Sequence, residues 1–113
     1  MAARANLVID QGTSFSSDVT VKDLNANAFD LTGYTAAAKM AKGYESTKTR
    51  STITATISSS PGTGLVALTM TASETSALSS GRYVYDLEIT QTSSGNVTRV
   101  IEGIITVTPQ VSV

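Results

Sequence analysis

The sequence predicts an all-β domain of the sandwich or barrel type, and three observations support this prediction. Apolar residues alternate with polar ones over short runs, as they do in half-buried strands. Turn-forming residues separate these runs at spacings of about ten residues. Serine and threonine are unusually frequent, at 15 and 18 of 113 residues, and among valine and isoleucine they indicate strands with polar outer faces.

The strands follow one another along a single domain, 1–113, of ordinary domain size. Leu7–Asp10 is short and ends at Gly12, and Phe29 and Leu31 alternate toward Gly33. The run 34–42 could form a helix on propensity, but its flanking glycines and its place between strands favour a strand. The predicted strands cover 7–10, 17–24, 34–42, 51–57, 65–71 and the two arms of a hairpin within 81–107.

The stretch "TASETSALSSG" (71–81) interrupts the β pattern. Thr71, with Glu74 three residues later, fits a capping box, and Gly81 fits a helix stop. We therefore expect one or two helical turns near residues 72–79, with Leu78 anchoring them to the core.

The stretch "GRYVYDLEITQTSSGNVTRVIEGIITV" (81–107) reads as a hairpin. With Ser93-Ser94-Gly95 as a three-residue loop and Gly95 in the left-handed position, Thr92 pairs with Asn96. This register places Leu87 opposite Ile101, Tyr83 opposite Ile105 and Tyr85 opposite Gly103. A slip by one residue would mix apolar and polar side chains on both faces, so both tyrosines are predicted to lie in the core.

The same register gives the hairpin a second, half-apolar face, and places Asp86 directly opposite Glu102. Like charges in this position are destabilising, and three explanations remain open. A neighbouring strand supplies a lysine or arginine; the face is a contact with another subunit; or the carboxylates form a catalytic or calcium-binding pair. The candidate interface residues are Val84, Asp86, Glu88, Val100, Glu102 and Ile104.

Composition favours a protein that is not an enzyme and holds no cofactor or metal. The chain has no cysteine and no histidine, which removes disulfides, thiol catalysis and the commonest general base. No phosphate-binding loop and no nucleophile elbow is present. Carbohydrate binding is the alternative, for which Tyr34 and Tyr44 are the candidate stacking residues.

Charge and hydropathy argue against nucleic acid and membrane as partners. The net charge is −1, and the basic segment 39–50 reads as a solvated strand end and loop, or else as a weak polyanion contact. The only apolar run near the start, Leu7–Ile9, is too short for a signal peptide, and no run is long enough for a membrane helix. We expect synthesis in the host cytoplasm.

Three blocks of the sequence carry a resemblance: "DLTGYTAAAKM" (30–40), "GLVALTMTASETSALSSGRYVYDLEIT" (64–90) and "VTRVIEGIITVTPQVS" (97–112). Together, and in this order, they resemble a family of small virion structural proteins of tailed bacteriophages. The relative that defines the architecture is the amino-terminal domain of phage baseplate upper proteins. The resemblance extends from about residue 5 to 112.

The resemblance implies an immunoglobulin-like antiparallel β-sandwich, located in the virion as a tail, baseplate, neck or fibre-attachment component. It implies other virion proteins as partners, a homo-oligomer, and no catalytic residues. Many relatives continue into receptor-binding regions, whereas this sequence stops at Val113. We therefore expect a small adaptor or decoration role.

Overall fold

The computed structural model describes residues 3–23, 25, 27–43 and 49–111. Within them, strands dominate, joined by one 3-10 turn and one short α-helix. Neither helical segment in this part of the chain is long or apolar enough to cross a membrane. The elements are β1 Ala3–Arg4, β2 Leu7–Asp10, β3 Phe15–Thr20, β4 Tyr34–Ala41, β5 Ser51–Ile57, a 3-10 turn Pro61–Thr63, β6 Leu65–Met70, α1 Ala72–Ser76, β7 Gly81–Gln91 and β8 Val97–Thr108.

The strands form one curled sheet that folds into two layers. The first layer has the order β2-β8-β7-β4, with β1 also on β8, and the second has the order β5-β6-β3. The two layers are joined by β5, whose first half pairs with β4 at 51–53 and whose second half pairs with β6 at 54–57. All pairs are antiparallel except those of β1 and β2, which run parallel to β8. The predicted all-β sandwich is confirmed.

A tyrosine corner marks the sandwich as immunoglobulin-like. Tyr83 lies near the start of β7, just after the connection from β6, and its hydroxyl donates a hydrogen bond to the Ser79 carbonyl at 2.8 Å. This contact back to the preceding connection is a hallmark of immunoglobulin-type sandwiches, where a core cysteine follows two residues later. Here Tyr85 occupies that position and is 2% exposed, so a buried aromatic ring stands where such domains often have a disulfide.

The core lies between the layers and is filled from both. Its fully buried members include Tyr85 and Leu87 on β7 and Val66 and Leu68 on β6. The predicted burial of Tyr83, Tyr85 and Leu78 is confirmed. The remaining buried apolar residues are Ile9, Val19, Val21, Leu31, Ala38, Met40, Ala41, Ile53, Met70, Ile89, Ile101, Ile105 and Val107.

Most predicted strands are present, with shifted ends. The strand at 7–10 is confirmed, and so is the strand over 34–42, which runs from Tyr34 to Ala41. The strand predicted at 17–24 instead begins at Phe15 and ends at Thr20. Its serine-rich start resembles a turn, but pairing with the far end of β6 extends it. The predicted alternation at Phe29 and Leu31 lies in a segment without a strand among its described residues.

The capping box is present and begins the helix. The Thr71 hydroxyl accepts from the Glu74 N–H at 3.2 Å, and the Glu74 carboxylate accepts from the Thr71 N–H at 2.8 Å. The predicted stop at Gly81 is wrong, because the helix ends at Ser76 and its C-cap residue, Ala77, is in a right-handed conformation. Gly81 instead opens β7 with φ of +126°.

The hairpin register is confirmed in its inner part and wrong near the tip. Leu87 pairs with Ile101 and Tyr85 with Gly103, as predicted. Beyond Leu87, however, Glu88 pairs with Arg99, so Val100 is an extra residue in β8. This is a β-bulge. The loop accordingly has four residues, 92–95, closed by the Gln91 N–H on the Asn96 carbonyl at 2.9 Å.

β1 and β2 together form the edge strand beside β8, and the chain between them bends toward the core at Ala5 and Asn6. The Ala5 carbonyl accepts a hydrogen bond from the Tyr85 hydroxyl at 2.5 Å. The side-chain oxygen of Asn6 accepts from the Ile104 N–H at 3.1 Å, a role that a backbone carbonyl would otherwise fill. Because the Ala5 carbonyl lies directly over Gly103, no Cβ fits there. The glycine opposite Tyr85 therefore makes room for the edge strand.

The burial of the Tyr85 hydroxyl predicts that the folded protein loses stability at high pH. Burial raises the pKa of its hydroxyl from 10.0 to about 12. Below pH 10 the hydroxyl is protonated in both states. Between pH 10 and 12 it ionises in the unfolded chain but not in the folded one, so stability falls with rising pH. The loss amounts to about 2 kcal/mol at pH 12, because each unit of pKa difference contributes about 1.4 kcal/mol and the folded hydroxyl is itself half ionised at that pH.

The measurement is urea unfolding from pH 8 to 12 for the natural chain and Tyr85→Phe. The variant starts lower by about 1 kcal/mol because it lacks the hydrogen bond to Ala5. Its stability should then fall less steeply above pH 10. Parallel curves for the two proteins would show that Tyr85 titrates normally.

Candidate functional site

The outer face of the first layer carries the predicted interface residues. It is formed by the side chains of β2, β8, β7 and β4 that point away from the core, and we call it the outer face. Val84 pairs with Ile104, and Asp86 pairs with Glu102, so these four residues form a compact block on adjacent strands. Glu88 follows at the next outward position of β7.

Val100 does not lie beside these residues as the sequence predicted. It occupies the bulge, is half-buried and packs against the hydrophobic core. The bulge moves Arg99 instead to the position opposite Glu88. In a regular ladder Arg99 would have faced Ile89 on the core side, where an unpaired guanidinium is costly.

Arg99 offsets the repulsion between the Asp86 and Glu102 carboxylates by forming an ion pair with each. Its Nε lies 3.2 Å from the Asp86 carboxylate, and its Nη1 lies 3.8 Å from the Glu102 carboxylate. On the other side of Asp86, Lys39 of β4 occupies the paired position. A basic partner is therefore present, but it comes from the hairpin itself and not from a neighbouring strand as the first explanation had it.

The Arg99 bridge predicts a small, salt-dependent contribution to stability. Arg99→Gln is expected to cost about 1 kcal/mol in low salt, since the side chains are partly exposed and the two carboxylates then repel one another. The loss should shrink in 1 M salt, and Asp86→Asn in the Arg99→Gln background should recover part of it. The control is Lys22→Gln, an exposed position that follows β3 of the second layer.

Urea unfolding at two salt concentrations checks this. A larger loss in high salt than in low salt would mean that Arg99 acts through packing and not through charge.

An apolar row crosses the outer face beside the charged residues. Val84 and Ile104 are half-buried, while Val8 on β2 is 60% exposed. Val8 pairs with Thr106, two positions along β8 from Ile104. A single exposed valine is ordinary on a protein surface, but Val8 extends the apolar row of Val84 and Ile104 onto a third strand of this face. The sequence reasoning missed Val8, although the alternation of Leu7 and Ile9 inward places it outward.

Two shallow depressions flank this row. One is lined by Asn6, Val8, Arg82, Ile104 and Thr106, so it combines apolar side chains with one guanidinium. The other lies over the charged residues and is lined by Lys39, Arg50, Val84 and Asp86 among others. Within the described residues, no group of three acidic, histidine or cysteine side chains is arranged to hold a metal ion.

The carbohydrate alternative rests on Tyr34 and Tyr44. Tyr34 is half-buried against the core, and Phe29 packs on it edge to face, with the ring centroids 5.4 Å apart. It is therefore not an open stacking platform. Tyr44 lies outside the described residues, as does most of the loop in the basic segment 39–50.

Comparison with known proteins leaves the family of this chain open. No family model matches the sequence, and no curated protein matches it. Among solved structures, InlP of Listeria monocytogenes matches 95% of this chain at 15% identity with a TM-score of 0.49. The natural killer cell receptor NKp44 matches 96% of it at 15% identity and 0.44, and a family 123 glycoside hydrolase from Clostridium perfringens matches 97% at 10% identity and 0.41.

These likenesses concern overall shape only. The chain spans 28% of InlP and 24% of the glycoside hydrolase, but 99% of NKp44. None of the three is described as a phage virion protein. The immunoglobulin-like assignment therefore rests on the strand order and the tyrosine corner.

Proposed function

We propose that this protein is a non-enzymatic structural component of a tailed-phage virion, in the tail, baseplate, neck or fibre-attachment region. It would act by docking its outer face on other virion proteins. The observation that carries this proposal is the apolar row of Val8, Val84 and Ile104 on an open sheet face, bordered by charged residues. An apolar centre with a polar rim is the usual anatomy of a protein interface.

The charged residues of the outer face support docking better than catalysis. Asp86 and Glu102 both form ion pairs with Arg99, and the depression beside Asp86 is shallow and open. A catalytic carboxylate pair needs a cleft in which both groups converge on a substrate. Charges at the rim of an interface instead orient the partner and exclude wrong ones.

The virion assignment rests on the resemblance carried by the three sequence blocks, which together cover much of the fold. The first block ends in β4, the second runs through β6, α1 and β7, and the third covers β8. The blocks thus include three strands of the outer face together with the tyrosine corner and the capping box. Glycan binding has less support, because Tyr34 is packed against Phe29.

Val84→Asp is the variant that tests the proposal. It places a charge beside Ile104 in the apolar row, where a docked partner would have to bury it, and it should reduce incorporation of the protein into particles at least tenfold. The strand itself should tolerate the change, since Val84 is only half-buried. The measurement is the amount of the protein in purified particles after infection in which only the variant is supplied.

The matched control is Thr56→Asp, which adds the same charge to an exposed position of β5 in the second layer. Normal incorporation of both variants would rule out the outer face as the docking surface. Absence of the natural chain from purified particles would refute the virion assignment itself.

A further inference from the structure

The charges of the outer face are arranged so that the face complements itself. On β7, Arg82 and Asp86 lie two positions before and two positions after Val84, on the same side of the strand. We propose that the outer face binds a second copy of this chain across a two-fold axis that passes over Val84 and Ile104, perpendicular to the strands. This inference rests on the proposed docking function and names the partner.

The geometry follows from a two-fold rotation between facing sheets. An axis across the strands stacks β7 antiparallel on β7 of the second copy, with Val84 over Val84 and Ile104 over Ile104. Arg82 of each copy then lies over Asp86 of the other, so two identical ion pairs form. A two-fold interface is of this kind, in which one patch meets itself.

The neighbouring strands fit the same arrangement. The row through Asp86 contains Lys39 on β4, Glu102 on β8 and Arg4 on β1. The row through Arg82 contains Thr106 on β8 and Val8 on β2. The rotation places the first row over the second, so Glu102 faces the Thr106 hydroxyl and the Arg4 stem covers Val8. Among the residues paired in these rows no like charges face each other, although Arg99, which lies 3.2 Å from the Asp86 carboxylate, is a cation close to the incoming Arg82.

The alternative axis, parallel to the strands, is disfavoured by the same rows. It would place the row through Asp86 of one copy over the same row of the second copy, with the strands in the opposite order. Asp86 would then face Glu102 of the second copy, and Lys39 would face Arg4. Like charges facing each other across an interface cost several kcal/mol. Charge therefore selects the axis across the strands.

Arg82 is a cation of the outer face for which the described residues of the same copy provide no ion pair. It is exposed, and among the described residues no carboxylate forms an ion pair with it. Asp86 and Glu102 share Arg99, whose second contact is long at 3.8 Å. A second guanidinium at these carboxylates would therefore be favourable, and the second copy supplies it.

The expected affinity is modest. Four strands spaced about 4.8 Å apart span roughly 20 Å, which places the contact near the lower end of specific interfaces. We expect a dissociation constant of the order of 10 μM to 100 μM for the isolated protein. Within a particle, neighbouring sites raise the effective concentration far above this value.

Charge complementation between two single variants tests the inference. Arg82→Asp gives a chain with two acidic positions, and Asp86→Lys gives a chain with two basic ones. Each should bind itself at least tenfold more weakly than the natural chain, because like charges then face each other. An equimolar mixture should recover an affinity within about threefold of the natural one. Sedimentation equilibrium up to 1 mM measures all three, with Asp18→Lys on β3 as the charge control.

A second measurement does not depend on Asp86→Lys folding. The natural chain has no cysteine, so Val84→Cys carries a single thiol that should be joined to its counterpart by a bis-maleimide about 10 Å long. That length matches the spacing of facing sheets. Thr56→Cys should not be joined at the same concentration, and adding Arg82→Asp to Val84→Cys should suppress the product.

The outcomes separate this inference from the proposed function. A natural chain that stays monomeric at 1 mM, or a mixture no tighter than its components, overturns self-association. If self-association is absent but Val84→Asp still prevents incorporation into particles, docking of the outer face on a different virion protein remains the explanation. If Val84→Asp is incorporated normally, docking through the outer face fails as well.

Discussion

Gly103→Ala is expected to destabilise the protein by about 3 kcal/mol or more, the range typical of an overpacked core. The added Cβ would overlap the Ala5 carbonyl, which is backbone and cannot rotate away. Relief requires the edge strand to move outward. That movement would break the hydrogen bond from the Tyr85 hydroxyl to Ala5 and the one from the Ile104 N–H to Asn6. Urea unfolding at neutral pH measures the loss.

Gly62→Ala is the matched control. No atom lies within 4 Å of a Cβ placed on Gly62, so the change should stay within about 0.5 kcal/mol, as exposed substitutions usually do. Equal, small effects for the two variants would mean that the edge strand does not lie over Gly103.

Leu87→Ala is expected to cost about 3 kcal/mol, a typical value for a truncated leucine in a core. Leu87 has no exposed surface, and it lies between Ala38 and Ile101 in the middle of the first layer. Truncation leaves a cavity that the surrounding strands cannot close. Urea unfolding again gives the magnitude.

Its control is Val97→Ala, because Val97 is 58% exposed near the hairpin tip. We expect less than about 0.5 kcal/mol there. A loss at Leu87 no greater than at Val97 would contradict the core placement of this face of β7.

The inner hairpin register could be predicted because a slip would move charges into the core. Leu87, Tyr85 and Tyr83 each require an apolar partner or space opposite, and only one pairing provides them. The tip could not be predicted in the same way. The loop of four residues and the bulge at Val100 shift the register in opposite directions. A three-residue loop without a bulge therefore gives the same inner pairing.

The local sequence pattern does not predict the short strand β1 or the path of β5 between the two layers. β1 has only two residues, and the pairing of β1 and β2 with β8 joins the two ends of the chain. Similarly, alternation in 51–57 predicts a strand but not its transfer from β4 to β6. Both depend on long-range packing that periodicity does not encode.

The candidate site was predicted in its β7 half and only partly in its β8 half. Alternation alone places Val84, Asp86 and Glu88 together, and the register adds Glu102 and Ile104. Arg99 was missed because the bulge reverses its side, and Val8 was missed because the parallel pairing of β2 brings it there. The like-charge pair was nevertheless the correct signal that a cation lies nearby.

A density map of the phage particle in which we propose that this protein resides tests the docking claim most directly, provided that the map resolves individual strands. We expect the sheet β2-β8-β7-β4 to face a second copy or another virion protein, with Val84 and Ile104 at the centre of the contact. A map in which this face points to solvent in every copy would contradict docking through it. A map that lacks the protein altogether would contradict the virion role.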